Sequence, residues 1–140
     1  MILVGSSVLI DFLEGRENAA VDRLSEALDN GIPFGISPIT FLEILQGAAT
    51  DRDFERLREY LGTQTIYELT RGLDSYAAAA DLFRTLRKKG LSVGSSVDCL
   101  IARTAIEHGL YLLHNDADFD RIARVAPLKI WGENRPKKRD

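Results

Sequence analysis

The sequence predicts one α/β domain with a central, mainly parallel sheet of four to five strands flanked by helices. Three features lead there. Short apolar runs such as Ile2-Leu3-Val4 and Leu110-Tyr111-Leu112-Leu113 have the signature of strands buried on both faces. Segments of helical periodicity separate these runs along the whole chain, the alternation from which parallel sheets are built. The 140 residues suit one domain with a core of ordinary size.

The chain opens as strand, turn and helix. Ile2 to Val4 runs into Gly5-Ser6-Ser7, after which Val8, Leu9, Phe12 and Leu13 recur at helical spacing as far as Gly15. In open parallel sheets ligands sit outside the carboxyl ends of the strands, so this turn is expected to line a crevice. A second helix presents Ala20, Val21, Leu24, Ala27 and Leu28 on one face and stops at Asn30-Gly31. Ile32 to Ile36 is a short strand. Ser37-Pro38 supplies N-cap and first helical residue for a helix through Ile39, Phe41, Leu42, Ile44 and Leu45 to Gly47.

Asp51 to Leu61 is amphipathic, with Phe54, Leu57, Tyr60 and Leu61 expected to point inward. Thr65-Ile66-Tyr67 is a third strand. Thr70 or Asp74 opens a long helix through Tyr76, Ala80, Phe83 and Leu86 to Gly90. Ser95 or Ser96 opens another, through Leu100, Ile101 and Ala105 to Gly109. Leu110 to Leu113 is a strand, Asp116 to Arg124 a short helix, and Leu128 to Trp131 a last strand. The domain is expected to span 1–132, with 133–140 a polar, basic tail.

Composition narrows the function classes. Cys99 is the only cysteine, so an internal disulfide and a cysteine-based zinc site are both excluded. A reducing, cytoplasmic setting is the natural reading. No apolar run reaches the roughly 18 residues of a membrane span, and the N-terminus lacks the pattern of a signal peptide. The net charge of −3 argues against a general nucleic-acid coat but leaves a nucleic-acid enzyme open. Two basic clusters, Arg84-Arg87-Lys88-Lys89 and Arg135-Lys137-Lys138-Arg139, read as a solvated helix end and a solvated tail.

Three carboxylates stand where structure alone does not call for them. Glu43 lies inside an otherwise apolar helix, where an unpaired carboxylate is costly unless it faces solvent or a polar cleft. Asp98 follows Ser95 by three residues, which fits a capping box and equally a ligand. Asp116 follows the strand ending at Leu113, on the rim expected to carry Gly5. It also suits an N-cap. Asp118 is a nearby fourth acid, read as peripheral. Carboxylates gathered in one crevice raise each other's pKa, a conflict that a divalent cation removes. All-oxygen ligands suit Mg²⁺ or Mn²⁺, which can activate water and hold a phosphate oxygen.

The stretches Ile2 to Leu13, Ser37 to Gly47, Ser95-Ser96-Val97-Asp98-Cys99-Leu100-Ile101-Ala102 and Leu112-Leu113-His114-Asn115-Asp116-Ala117-Asp118-Phe119 resemble, in order, the motifs of PIN-domain ribonucleases, and most closely VapC-type toxins of bacterial toxin–antitoxin pairs. The resemblance covers nearly the whole chain. It implies strand order 3-2-1-4-5 and a homodimeric, Mg²⁺- or Mn²⁺-dependent endoribonuclease that cuts structured RNA such as tRNA or rRNA. It implies a small VapB-like antitoxin whose tail blocks the site. By matching position it makes Glu43, Asp98 and Asp116 the metal-site acids, with Asp118 secondary and Ser6 or Ser7 supporting from the turn.

Gly5 departs from that pattern. The family places an aspartate directly after the first strand as a metal ligand, and glycine offers no side chain. Ser6 is a weak neutral ligand, and Asp11 lies about two helical turns away. The chain is then either a naturally inactive member or a toxin disarmed by substitution, and in both cases catalysis is impaired. The alternative function is a non-catalytic PIN-fold module that binds an antitoxin or RNA. A receiver-type signalling domain is discounted, because Thr65-Ile66-Tyr67-Glu68 offers no acceptor aspartate.

The remaining candidates have plainer readings. His108 complements a helix C-terminus, His114 is read as a surface histidine, and Cys99 as a small core residue. Trp131 is read as core or as a partner contact. Arg103 either reaches a phosphate or pairs with Glu107 at i,i+4.

Overall fold

A computed structural model describes residues 1–132; the basic tail falls outside the described residues. Five parallel strands form one sheet in the order β3-β2-β1-β4-β5. They are β1 (Ile2–Val4), β2 (Phe34–Ile36), β3 (Thr65–Ile66), β4 (Tyr111–Leu113) and β5 (Lys129–Ile130). Seven helices connect them: α1 (Ser6–Leu13), α2 (Ala19–Asp29), α3 (Pro38–Gln46), α4 (Asp51–Gly62), α5 (Leu73–Lys88), α6 (Ser96–His108) and α7 (Ala117–Ala123).

The central strands β1, β2 and β4 are buried along most of their length, whereas the edge strand β3 is exposed. Side chains alternate across a strand, so Ile2 and Val4 enter one core and Leu3 the other. Leu113 joins Ile2, Val4 and Ile36 beneath residues of α1 to α4. Leu112 joins Leu3 beneath residues of α5, α6 and α7. The order turns around at β1, which lies between β2 and β4. That reversal is where a parallel sheet opens a crevice at its carboxyl rim. Gly35 lets β2 pass close to Tyr67, since a Cβ there would collide with the ring.

The helix ends follow the caps read from sequence. Ser37 and Ser95 each accept a backbone N–H of the first turn and Pro38 occupies the first helical position, while Thr50 caps α4 in the same way without having been singled out in the sequence. Two helix faces depart from the expected pattern. In α5 the buried stripe is Ser75, Ala79, Leu82 and Leu86, while Tyr76 is 53% exposed. The stripe is shifted because Ser75 is drawn inward to a buried carboxylate, Glu107. In α4 only Leu61 is fully buried, and Phe54 and Tyr60 stand half-open at 38% and 37%. That helix packs on α3 as an outer layer and overhangs it.

The overhang forms one wall of a groove of about 660 Å³, lined by Ile10, Leu13, Ile44, Leu57 and Tyr60 together with Glu14, Glu43, Asp53 and Arg56. No helix among the described residues is long and apolar enough to cross a membrane.

Candidate active site

The carboxyl rim of β1 and β4 gathers the acids. Carboxylate oxygens of Asp98, Asp116 and Asp118 lie within 4.8 Å of one another. Each arrives on a different local device. Asp98 sits in the first turn of α6, whose N-cap Ser95 accepts the Val97 N–H at 3.1 Å. The Asp98 carboxylate turns towards the other acids, while its backbone N–H goes to the Ser95 carbonyl. Asp116 is the N-cap of α7 and its Oδ1 accepts the Asp118 N–H at 2.9 Å.

Asp118 stands inside the cluster, although its sequence position read as peripheral. Its Oδ2 accepts the Gly94 N–H at 3.0 Å, which ties the loop before α6 to α7. Arg121 pairs with its Oδ1 at 2.5 Å. The i,i+3 spacing of Asp118 and Arg121 was the sequence signal for that contact.

Glu43 approaches from α3 and joins the crevice through Ser6, whose hydroxyl donates closely to Glu43 Oε1. Ser6 Oγ is also 3.2 Å from Thr40 Oγ1, which in turn is 3.3 Å from Ser37 Oγ. One hydroxyl carries one proton, so three hydroxyls in line converge on the Glu43 carboxylate with Ser6 as the last donor. Thr40 lies three residues before Glu43, the same helix face, which is how sequence could have revealed it. Ser7 is exposed and its side chain makes no hydrogen bond among the described residues.

The electrostatics are those of a site in conflict. The Asp98 carboxyl is pushed up to about 6, first by burial, then by Asp116, Asp118 and Glu43, and by a hydrogen bond shared with Asp118. Among the described residues the only cation paired with any of these acids is Arg121. A hard divalent cation fits such an all-oxygen donor set and removes the repulsion within it.

Gly5 is buried at the N-cap of α1, between β1 and β4. Its N–H donates to the Leu113 carbonyl at 2.9 Å. Its φ of −75° and ψ of 161° are ordinary extended backbone that any residue adopts. A Cβ there would meet Leu113 O at 3.4 Å and His114 Cα at 3.9 Å, ordinary contacts. The turn therefore does not need glycine.

The expectation of a surface histidine does not hold for His114, which is 8% exposed. Phe119 covers one side of its ring at 5.2 Å. Its Nδ1 accepts the Asp116 N–H at 3.0 Å and its Nε2 lies 3.2 Å from Asp120. It holds the loop that carries Asp116. Arg103 pairs with Glu107 at 3.5 Å, not with the crevice. His108 Nε2 reaches the Glu68 carbonyl at 2.7 Å. Cys99 is buried in the core, and Trp131 packs edge-on against Tyr111 at 5.7 Å.

A PIN domain family model matches residues 2–125. The chain is 32% identical over 130 residues to VapC ribonuclease Mb1587 of Mycobacterium bovis, covering 92% of this chain and 96% of that protein. It is 34% identical over 106 residues to ribonuclease VapC51 of Mycobacterium tuberculosis, covering 76% of each.

Among solved structures, a toxin–antitoxin complex from Klebsiella pneumoniae aligns with a TM-score of 0.68 at 27% identity, covering 93% of this chain and 100% of that one. VapBC2 of Rickettsia felis bound to promoter DNA shares the fold, with a TM-score of 0.69 at 21% identity over 93% of this chain and 97% of that one. The chain belongs to the PIN-domain family and, within it, to the VapC ribonucleases.

Proposed function

We propose that this chain is a Mg²⁺- or Mn²⁺-dependent endoribonuclease toxin directed at structured RNA such as tRNA or rRNA, with catalysis impaired by Gly5. The observation that carries the reading is the meeting of Asp98 from α6 with Asp116 and Asp118 of α7, carboxylate oxygens within 4.8 Å of one another. Burial, then these acids and Glu43, push the Asp98 carboxyl up to about 6. Such an arrangement costs stability and suits a site completed by a cation. Glu43, Asp98 and Asp116 would hold the metal, with Asp118 beside them. When bound, the metal would supply a Lewis acid for a phosphoryl oxygen and lower the pKa of water.

The chain's own residues set the geometry. Ser6, backed by Thr40 and Ser37, orients Glu43. Arg121 and the Gly94 N–H fix Asp118. His114 steadies Asp116 through its backbone N–H. At position 5 no carboxylate completes the ring, so metal affinity is expected to be low and the attacking water poorly placed.

Because relatives of this family occur in toxin–antitoxin complexes, we assign the apolar groove between α1, α3 and α4 to a VapB-like antitoxin. A helix or extended segment would lie in the groove, with a basic side chain reaching Glu43 in its wall. The working form is proposed to be a cytoplasmic homodimer. The second reading, a non-catalytic module that binds antitoxin or RNA, is favoured by one observation: Gly5 brings no ligand to an otherwise acidic rim.

Metal-dependent RNA cleavage by three proteins separates the readings: the chain itself, Gly5→Asp, and Gly5→Asp combined with Asp98→Asn. Cleavage only by Gly5→Asp supports the impaired nuclease. Robust cleavage by the unaltered chain would mean that Glu43, Asp98 and Asp116 suffice. Absence of cleavage in Gly5→Asp on tRNA and rRNA would favour the binding module.

A further inference from the structure

Beside the acid cluster lies a second polar cavity that the proposed chemistry leaves unused. Its volume is about 280 Å³, and Arg23, Asn115, Asp116, Asp120 and Trp131 line it at the carboxyl ends of β4 and β5. Arg23 reaches it from α2. Its Nε is shut off from solvent and has no hydrogen-bond partner. No carboxylate among the described residues lies within 4.0 Å of its guanidinium. Gly132 makes room for this placement, since a Cβ at that position would collide with Arg23 Cδ.

The two acids in the wall are engaged elsewhere. Asp116 faces Asp98 and Asp118 and caps α7. Asp120 Oδ1 lies 3.2 Å from His114 Nε2. Because His114 Nδ1 accepts the Asp116 N–H, the ring proton is on Nε2 and is given to Asp120. Asn115 is exposed and its side-chain amide has no partner among the described residues.

An arginine that has shed water at Nε and has no carboxylate within 4.0 Å is costly. An anion on its outer nitrogens is the compensating partner, and the planar fork of guanidinium matches phosphate. Asp116 is shared between this cavity and the acid cluster, so a strand with one phosphate at the cluster has the cavity next along its path. We propose that the Arg23 cavity is a subsite for a second backbone phosphate of the bound RNA strand, with Asn115 as an additional donor. This rests on the nuclease reading. Arg23 would act as a binding and positioning residue, remote from the scissile bond.

The test uses the full chain and a tRNA pool, whose single-stranded loops supply the strand, with Ca²⁺ replacing Mg²⁺, and measures affinity across a salt series. Arg23→Gln is expected to weaken binding by roughly 10-fold. It should also reduce the slope of log affinity against log salt by about 0.7, the loss of one phosphate contact. Arg23→Lys should keep the slope and lose part of the affinity, and it guards against a folding defect in the first variant.

Unchanged affinity and slope in a folded Arg23→Gln protein would overturn the subsite and leave the nuclease reading standing. No RNA binding by the parent chain or by Gly5→Asp would overturn both. A phosphorus NMR titration with inorganic phosphate separates the remaining source. Phosphate binding lost in Arg23→Gln, with RNA affinity unchanged, would assign the cavity to a free anion and overturn the proposal.

Discussion

Helix α6 carries one carboxylate in its first turn and another in its last, and the two meet opposite conditions. Asp98 stands at the N-terminus, where the helix dipole favours a negative charge, yet its carboxyl is pushed up to about 6 by burial and by three neighbouring acids. Glu107 stands at the C-terminus, where the dipole opposes it, and its side chain is only 3% exposed. Burial alone would raise it. The Thr70 N–H at 2.8 Å, the Ser75 hydroxyl at 2.7 Å, the Thr70 hydroxyl at 2.9 Å and Arg103 together outweigh that and hold it at about 2. Burial and neighbouring acids override the dipole at Asp98, and hydrogen bonds together with Arg103 override it at Glu107. The satisfied acid fastens the start of α5 to the end of α6. The unsatisfied acid stores a cost that a ligand can release.

The largest effect is expected from the satisfied end. Glu107→Leu would leave the Arg103 charge, the Thr70 N–H and the Ser75 hydroxyl without their common acceptor. The expected loss is about 3–5 kcal/mol in chemical denaturation. A loss below about 1 kcal/mol would place Glu107 with ordinary surface pairs and undo the comparison.

The two ends should also respond to pH in opposite directions. A lowered pKa contributes stability above the unfolded value of 4.5, and this is lost as pH falls towards 2. For Glu107 that contribution is about 3 kcal/mol. A raised pKa acts the other way: the metal-free fold gains stability as pH falls from about 6 towards 3.8 and Asp98 takes up a proton. The metal-free unfolding free energy measured across this range should therefore rise on acidification before it falls. Asp98→Asn should raise metal-free stability at pH 7 by about 2 kcal/mol, after allowance for solvent screening, and remove the first limb.

Smaller changes sharpen the contrast at the crevice. Ser6→Ala removes the donor to Glu43 and should cost about 1 kcal/mol, with weaker metal binding as the more telling readout. Gly5→Asp should lower metal-free stability at pH 7 by about 1 kcal/mol or more, since it adds a buried carboxylate to acids that already repel one another, and a bound divalent cation should recover the loss. The same substitution should raise metal-dependent RNA cleavage by about 100-fold or more.

Much of this architecture was legible because local signals agreed with the global fold. Ser37-Pro38 and Ser95 announced helix starts, and the apolar runs at Ile2 and Leu110 became the central pair β1 and β4. Strand order came from the family resemblance, since short parallel strands do not encode their neighbours. The acids Glu43, Asp98 and Asp116 could be singled out because each broke a local rule or stood at a strand end.

Relations between distant residues were not legible. Glu107 read as an ordinary i,i+4 partner of Arg103, because Thr70 and Ser75 meet it only once α5 packs on α6. His114 read as exposed because its cover, Phe119 and Asp120, comes from the following helix. Arg23 showed nothing in sequence, because its cavity is closed by Trp131 and Gly132, more than a hundred residues away.

The central claim is that the conflict around Asp98 exists to be relieved by a divalent cation. Thermal unfolding at pH 7 with increasing Mn²⁺ tests it most directly, on the chain itself, on Gly5→Asp and on Asp98→Asn. The melting temperature should rise with Mn²⁺, modestly for the chain and more for Gly5→Asp. Asp98→Asn should have a higher metal-free melting temperature and little further rise with Mn²⁺. The same Mn²⁺ response in Asp98→Asn as in the parent, or no response in Gly5→Asp, would contradict that claim.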